Sequence, residues 1–155
     1  MRRVTLHAVI GATSPEYVFH SIAQFERYPQ YAPHLQSATV HETLPGPGRS
    51  SWELHFRSGL LRWTEQEDFD RTGLEITFAQ LDGDFDEFAG WWRLEPDGAD
   101  TRLHFEVDFD FGIPSLAGIL DPIAERVIKE TVAWVVVGMF DDVRLTEPLN
   151  LTPSA

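Results

Sequence analysis

Hydrophobic and polar residues alternate along most of the first 111 positions, which is the pattern of β-strands that bury one face. Residues 101–111 show it most clearly, since Leu103, Phe105 and Val107 share one side while the positions between them are charged or polar. The same pattern predicts six further strands, at residues 3–10, 36–43, 51–57, 60–70, 74–81 and 86–95. Tight turns join most of these seven segments, so the neighbouring strands run antiparallel.

The apolar stretch at residues 121–144 has a longer period. Asp121 followed by Pro122 is a helix-start signal, because aspartate caps free N–H groups and proline needs no N–H in the first turn. Apolar positions then recur every three or four residues. They are Ile123, Val127, Thr131, Trp134, Val135, Gly138 and Met139. Residues 132–140 are apolar all round and would also suit a buried strand, but the total length favours one helix of about 36 Å.

A second cap-and-proline signal, Ser14-Pro15, predicts one or two short helices after the first strand. Proline residues 29 and 33 close this helical segment. A sheet with one wet face needs a cover for the other face, and the long helix is the candidate. The sequence therefore predicts an α+β fold in which a curved seven-stranded antiparallel sheet wraps around a C-terminal helix and leaves a pocket between them.

Length and composition restrict the function. At 155 residues the chain is expected to form one domain, residues 1–147, followed by a loose tail, residues 148–155. There is no cysteine, and the formal net charge of -13 argues against nucleic acid or an anionic membrane as partner. No signal peptide or membrane-spanning run is visible, which predicts a cytoplasmic protein. A neutral or carrier-tethered hydrophobic ligand fits better, and the apolar residues 132–140 leave room for a homodimer contact.

The order of elements resembles the START-like helix-grip (SRPBCC) superfamily. Three segments account for the resemblance: FERYPQYAPHLQSATV at 25–40, FAGWWRLEP at 88–96 and VVVGMFDDVR at 135–144. Within the superfamily the chain is similar to the polyketide cyclase/dehydratase and coenzyme Q-binding branches. The resemblance implies a helix-grip fold and a cavity for a hydrophobic molecule. It specifies the fold better than the reaction, because fold and function are separable.

The sequence departs from the bacterial aromatase/cyclases that it resembles. In those enzymes a tyrosine after the second short helix and an arginine four residues after a strand tryptophan line the cavity. Here Trp63 is retained, but Leu35 stands at the tyrosine position and Glu67 at the arginine position. The resemblance therefore implies that any cyclisation uses other groups.

Glu65 and Glu67 are the first candidates for such groups. They share a side of the predicted strand with Trp63 and Phe69, so inward-pointing aromatic residues would bring both carboxyl groups into the cavity. A carboxyl group in apolar surroundings has a raised pKa, which suits general acid or base catalysis. A bulge or register shift that turns both glutamates to solvent is the alternative.

The remaining candidates are aromatic. Tyr31 is expected near the cavity mouth, where its hydroxyl would donate to a substrate carbonyl, although Tyr28 lies close by and either residue can serve in packing. The predicted substrate-binding walls are Trp63, Trp92, Phe88, Phe56 and Trp134. For Trp92, core packing is the simpler interpretation, and stacking on a planar ligand is the functional one.

No metal or other cofactor is predicted. The six histidines are scattered without ligand spacing, and no phosphate-binding loop or nucleophile elbow is present. The leading hypothesis is a cofactor-independent cyclase/dehydratase that acts on a polyketide-like or aromatic precursor. The alternative is a carrier that binds a quinone or lipid without changing it.

Overall fold

The computed structural model describes residues 1–112, 114–149 and 151. Eight strands are found in these residues: β1 (Arg2–Ile10), β2 (Leu35–Glu42), β3 (Gly48–Phe56), β4 (Gly59–Asp70), β5 (Glu75–Gly83), β6 (Glu87–Asp97), β7 (Asp100–Asp110) and β8 (Val143–Leu145). The helices are α1 (Pro15–Ile22), a short 3₁₀ helix (Phe25–Gln30) and the long α2 (Pro114–Met139). The predicted α+β helix-grip fold is confirmed, with one strand more than the seven expected.

One continuous antiparallel sheet contains all eight strands. Their order is β2-β3-β4-β5-β6-β7-β1-β8, so the first and last strands of the chain are neighbours. Helix α2 packs on one face, where alternate residues of the strands are buried. In β7 the buried positions include Leu103, Phe105 and Val107, as the alternation predicts. No helix in residues 1–112 and 114–149 is long and apolar enough to cross a membrane.

The predicted bounds of the long helix are wrong at both ends. Helix α2 begins at Pro114 rather than at Asp121, so Pro122 lies inside the helix. It ends at Met139, because the chain then turns and residues 143–145 pair with β1. Here the backbone N–H of Gly11 donates to the carbonyl of Asp142 at 2.8 Å. The cap-and-proline signal thus marks the start of α1, where Ser14 accepts from the N–H of Tyr17, but not the start of α2.

The buried face of α2 is rotated relative to the prediction. Among the described side chains of α2, the buried ones are Asp121, Ala124, Ile128, Thr131, Val132, Ala133, Val135 and Val136. Ile123 and Gly138 are exposed, and Trp134 is only half-buried. Because consecutive helix residues differ by about 100° in direction, a shift of one residue in the pattern turns the contact face substantially.

Most of the apolar segment 132–140 is used inside the chain. Its buried residues belong to the hydrophobic core, and Val137 and Gly138 remain exposed. The homodimer contact that this segment suggested stays a prediction. The predicted tail at residues 148–155 lies largely outside the described residues, although Leu149 and Leu151 are half-buried against the core.

Candidate functional site

A cavity of about 70 Å³ lies between the sheet and helix α2. Its walls come from the 3₁₀ helix, from strands β2 to β7 and from the middle of α2. The lining residues are Phe25, Tyr28, Leu35, Trp52, Leu54, Trp63, Glu65, Phe78, Phe88, Trp92, Phe105, Ile128, Thr131, Val132 and Val135. Twelve of these fifteen side chains are hydrophobic or aromatic and lack a hydroxyl or carboxyl group, and Glu65 is the one ionisable carboxyl group among them.

Glu65 faces the cavity because it occupies an inward position of β4. Its side chain is 4% exposed. The indole N–H of Trp63, two residues earlier on the same face, donates to Glu65 Oε1 at 2.8 Å. Burial raises the pKa of Glu65 well above its usual value, and the neighbouring Glu67 raises the pKa further. Burial therefore favours the protonated form of Glu65, in which the carboxyl group is a hydrogen-bond donor.

The alternative orientation of the two glutamates, toward solvent, is not found. The β4–β5 pairing does contain an irregularity, because Thr64 pairs with Asp82 whereas Glu65 pairs with Gln80. The additional residue, Leu81, is on β5. Strand β4 keeps its alternation through this point, so the side chains of Glu65 and Glu67 both point into the protein.

Glu67 lies next to Glu65 but is not part of the cavity surface. Its side chain is 1% exposed, and Oε2 accepts a hydrogen bond from Ser50 Oγ at 2.6 Å. Ser50 Oγ in turn accepts from the indole N–H of Trp52 at 2.7 Å. Oε1 of Glu67 is buried without a hydrogen-bond partner among the described residues. Burial raises the pKa of Glu67, whereas the adjacent Glu65 carboxyl group and the hydrogen bond from Ser50 lower it.

The aromatic walls are arranged in two groups. On β3 and β4, the rings of Trp52 and Trp63 are stacked, with centroids 6.1 Å apart and an interplanar angle of 5°. Across the cavity, the rings of Trp92 and Phe105 lie 4.7 Å apart at a tilt of 57°. Phe88 contacts Trp63 with a centroid distance of 5.0 Å, and Phe78 lies between Phe88 and Phe105 at 5.8 Å and 6.0 Å, so the two groups are connected. Flat surfaces therefore dominate the cavity, which favours a planar ligand.

Four of the eight predicted site residues line the cavity: Glu65, Trp63, Phe88 and Trp92. Glu67 lies directly behind Glu65. The other three were placed wrongly. Phe56 is at the end of β3, where its ring stacks on Phe111 5.9 Å away. Trp134 is half-buried on a different side of α2 and does not line the cavity.

The third misplaced residue, Tyr31, lies outside the cavity with its ring against Gly138. Its hydroxyl accepts from the Arg27 guanidinium at 2.6 Å. Tyr28 lines the cavity instead. It is the fourth residue of the 3₁₀ helix and points inward, whereas Tyr31 follows the end of that helix.

Sequence reasoning missed Phe25, Trp52 and Thr131 as cavity residues and Ser50 as the partner of Glu67. The alternation contained a signal for two of them, because Ser50 and Trp52 share the inward parity of β3. Phe25 belongs to a 3₁₀ helix, for which an α-helical period gives no reliable direction. Thr131 was placed correctly on the buried side of α2, but its contact with the cavity depends on the rotation of the helix.

Most polar hydrogens around the cavity are already used within the protein. The Tyr28 hydroxyl donates to the carbonyl of Ile22 at 2.6 Å, and the Thr131 hydroxyl donates to the carbonyl of Val127 at 2.7 Å. The indole N–H groups of Trp52 and Trp63 donate to Ser50 and Glu65. Within the described residues, no three histidine or acidic side chains converge in a group that could bind a metal ion. The arrangement can therefore offer a ligand one acidic proton, that of Glu65.

Comparison with known sequences gives one family and one curated relative. The sequence model of a family described as "Polyketide cyclase / dehydrase and lipid transport" matches residues 12–135. The persistence and stress-resistance toxin PasT of Escherichia coli is 23% identical over 99 residues, which are 63% of this chain. The match spans 62% of the length of the toxin.

Comparison with solved structures gives similar folds. The protein TTHA0849 of Thermus thermophilus has a TM-score of 0.79 and 26% identity, with 89% of this chain and 94% of that chain covered. A START superfamily protein of Mycobacterium smegmatis has a TM-score of 0.72 and 17% identity, with coverage of 90% and 97%. The ZhuI aromatase/cyclase of a Streptomyces species has a TM-score of 0.66 and 19% identity, with coverage of 85% and 87%. The last two similarities concern the fold alone.

Proposed function

Because the chain belongs to the polyketide cyclase / dehydrase and lipid transport family, we propose that it binds a neutral hydrophobic carbonyl compound between the sheet and α2 and promotes its cyclisation or dehydration. The observation that supports this proposal most directly is Glu65, a buried carboxyl group with a raised pKa on the surface of an aromatic cavity. Such a group can protonate a leaving hydroxyl or a carbonyl oxygen at neutral pH.

The ligand should be neutral. A carboxylate ligand would lie beside the carboxyl group of Glu65 and close to that of Glu67, and the cavity lining contains no basic side chain to compensate. A cationic ligand would have to lose its hydration in an apolar cavity. A ketone or quinone oxygen, in contrast, can accept the Glu65 proton while the attached rings contact Trp63 and Trp92.

Dehydration of a β-hydroxy ketone illustrates the chemistry. Glu65 gives its proton to the hydroxyl as the carbon–oxygen bond breaks. The resulting carboxylate takes the proton from the carbon next to the carbonyl, a double bond forms between the two carbons, and water leaves. The acid is then restored, so no further reactant is needed. The rigid aromatic walls contribute by orienting the flexible substrate, which is a large source of rate enhancement.

The cavity has to enlarge when a ring-sized ligand enters. Its volume of about 70 Å³ is well below the roughly 300–1,000 Å³ of ordinary ligand pockets. Binding must therefore displace lining side chains, and the tryptophans among them make the displacement measurable by fluorescence.

The direct test uses a naphthyl β-hydroxy ketone, with formation of the enone followed by absorbance. We expect turnover by the wild-type protein and a loss of at least about 100-fold in Glu65→Gln, since general acid–base catalysis is worth roughly 10² to 10⁴. Asp68→Asn is the matched control, because Asp68 is an exposed carboxylate on the same strand. Equal turnover by the Gln and Asn variants would contradict the role of Glu65.

A carrier function is the second candidate. It is supported by Leu35 and Glu67, which occupy the two positions where the aromatase/cyclases that the chain resembles have tyrosine and arginine. A carrier should release a stoichiometric quinone or lipid on extraction with organic solvent, detectable by mass spectrometry, and Trp92→Ala should lose that ligand. Ligand binding that is unchanged in Glu65→Gln, together with no turnover of any β-hydroxy ketone, would favour the carrier.

The finer expectations about partners belong to the same proposal. The substrate can arrive tethered to a carrier protein, and the reaction would take place in the cytoplasm. Sedimentation checks the expected homodimer directly, because a single species at 17.6 kDa excludes it.

A further inference from the structure

Resting on the proposed function, we propose that Ser50 and Trp52 are positioning residues that fix the negative charge on Glu67 and thereby keep the proton on Glu65. Ser50 and Trp52 would then decide which of two adjacent carboxyl groups is the acid. The charge lies behind the cavity wall, and the proton lies at its surface.

Ser50 is fully buried, and its side chain has a single hydroxyl hydrogen to donate. Its hydroxyl has two partners within the described residues, the Trp52 indole N–H and Glu67 Oε2. An indole nitrogen can only donate, so Ser50 Oγ must accept from Trp52. The single hydroxyl proton is then satisfied only by donation to Glu67. If Glu67 were the donor instead, a fully buried hydroxyl hydrogen would have no acceptor.

Glu67 is consequently an acceptor at Oε2, which favours its ionised form. A buried carboxylate is stable only when its oxygens are paired. Oε1 of Glu67 has no geometric partner in the described part of the chain. The neighbouring Glu65 carboxyl, two residues earlier on the same face of β4, is the group able to direct a proton toward it.

The contacts of Glu65 are compatible with a protonated Glu65 beside an ionised Glu67. Its Oε1 accepts the indole N–H of Trp63 at 2.8 Å; this bond lowers the pKa of Glu65, but burial and Glu67 raise the pKa by more. Because Oε1 accepts this hydrogen bond, the proton of the Glu65 carboxyl group lies on Oε2. In the ligand-free protein it is directed toward Glu67, and in the proposed complex it is available to the ligand.

The other ionisable groups near the two glutamates are Tyr28 and His41. Tyr28, from the 3₁₀ helix, is fully buried and uncharged, because burial and both glutamates raise its pKa well above the usual value. His41, on β2, lowers the pKa of Glu67. The higher pKa of Glu65 comes first from burial and second from Glu67. Helix α2 contributes one polar residue to the cavity lining, Thr131, and its side chain carries no charge.

The test is a pH titration of the ligand-free protein with ¹³C-labelled glutamate, followed by NMR of the side-chain carboxyl carbons. Signals are assigned with Glu65→Gln and Glu67→Gln. In the wild type we expect Glu67 to ionise first and Glu65 to remain protonated at pH 7. In Ser50→Ala, the midpoint of Glu67 should rise by about one pH unit or more, because a hydrogen bond to a charged group is lost.

Two further variants make the result specific. Ser37→Ala removes a hydroxyl that donates to Glu53 rather than to either member of the pair, and should leave the midpoints unchanged. Trp52→Phe keeps an aromatic ring but frees the Ser50 hydroxyl to rotate, and should raise the Glu67 midpoint by a smaller amount. If Ser50→Ala does not fold, the Trp52→Phe titration decides alone.

The proposal is overturned if Glu65 ionises before Glu67 in the wild type. It is also overturned if the Glu67 midpoint is the same in Trp52→Phe, Ser37→Ala and the wild type. No ligand is used in these titrations, so failure of the β-hydroxy ketone assay would contradict the proposed function without affecting this assignment.

Discussion

The two long walls of the cavity differ in the kind of residue that they contribute. Strands β3 and β4 supply Glu65, with Ser50 and Glu67 behind it, and two tryptophans whose N–H groups donate to Ser50 and Glu65. Strands β6 and β7 supply rings alone, with Trp92 and Phe105 in contact. The first wall contains the carboxyl group that can exchange a proton, and the rings of the second wall determine the shape of the cavity. Substitutions on the two walls should therefore have different signatures, in pH dependence for the first and in stability for the second.

Trp92→Ala should have the largest effect on stability. Trp92 is 3% exposed and central to the second wall, so its truncation leaves a large void. Loss of a buried aromatic ring costs about 4 kcal/mol in free energy of unfolding. Trp91→Ala is the matched control, because Trp91 lies on the outer face of the sheet under Arg93. Urea denaturation of both variants measures the difference, and equal losses would contradict the assignment of Trp92 to the wall.

Gly90→Ala tests how closely the backbone of the second wall is packed. A Cβ at this position would lie 2.1 Å from the carbonyl oxygen of Glu106 and 2.8 Å from the Phe78 ring. Because the first of these contacts is with backbone, the strand itself must shift, and we expect a destabilisation of about 3 kcal/mol. Gly59→Ala has open space around the new methyl group and should be close to neutral. Thermal unfolding followed by fluorescence compares the two.

Glu65→Gln should act on the first wall through pH. The pKa of Glu65 is higher in the folded protein than in the unfolded chain, where it is near the ordinary value of 4.5. Above that pH the unfolded chain releases a proton that the folded protein retains, so wild-type stability falls as pH rises. The Gln variant lacks this loss and should be more stable than the wild type at pH 8 by roughly 1–2 kcal/mol.

The advantage of Glu65→Gln should disappear below pH 4.5, because the wild-type carboxyl group is then protonated in both states. Urea denaturation at several pH values provides the measurement. A stability difference that is independent of pH would mean that Glu65 is already ionised in the folded protein, and the contrast between the walls would fail.

Phe56→Leu should have the smallest effect and lies outside both walls. Phe56 is half-buried and stacks on Phe111 beyond the cavity. We expect a loss of about 1 kcal/mol in stability and no change in the affinity for acetylnaphthalene, measured by quenching of tryptophan fluorescence. A clear change in that affinity would place Phe56 back among the ligand contacts.

The strands could be predicted from the sequence because each has one wet face, and a period of two then identifies the buried side. This was sufficient to place Trp63, Glu65, Phe88 and Trp92 toward the cavity. It was not sufficient for Phe56. Alternation shows on which face of the sheet a residue lies, but not whether its position along the strand is next to the cavity. The position of Phe56 is set by where the 3₁₀ helix and α2 cover the sheet.

The helical parts were harder to predict. The Asp121-Pro122 pair has the chemistry of a helix start, but the residues before it are helical too, so the local signal was overruled by its context. The direction of Tyr28 and Tyr31 depends on a 3₁₀ helix whose geometry differs from the α-helical period. The hydrogen bonds that connect Trp52, Ser50 and Glu67 join two strands, and no spacing along one strand specifies them.

The stacked rings of Trp52 and Trp63 have an optical consequence. Two indoles whose centroids are 6.1 Å apart are close enough for their electronic transitions to couple, and this coupling depends on the separation and the relative orientation of the rings. A planar ligand that enters the cavity must alter the separation or the angle of these rings. The protein therefore contains an intrinsic chiroptical reporter of occupancy that requires no label.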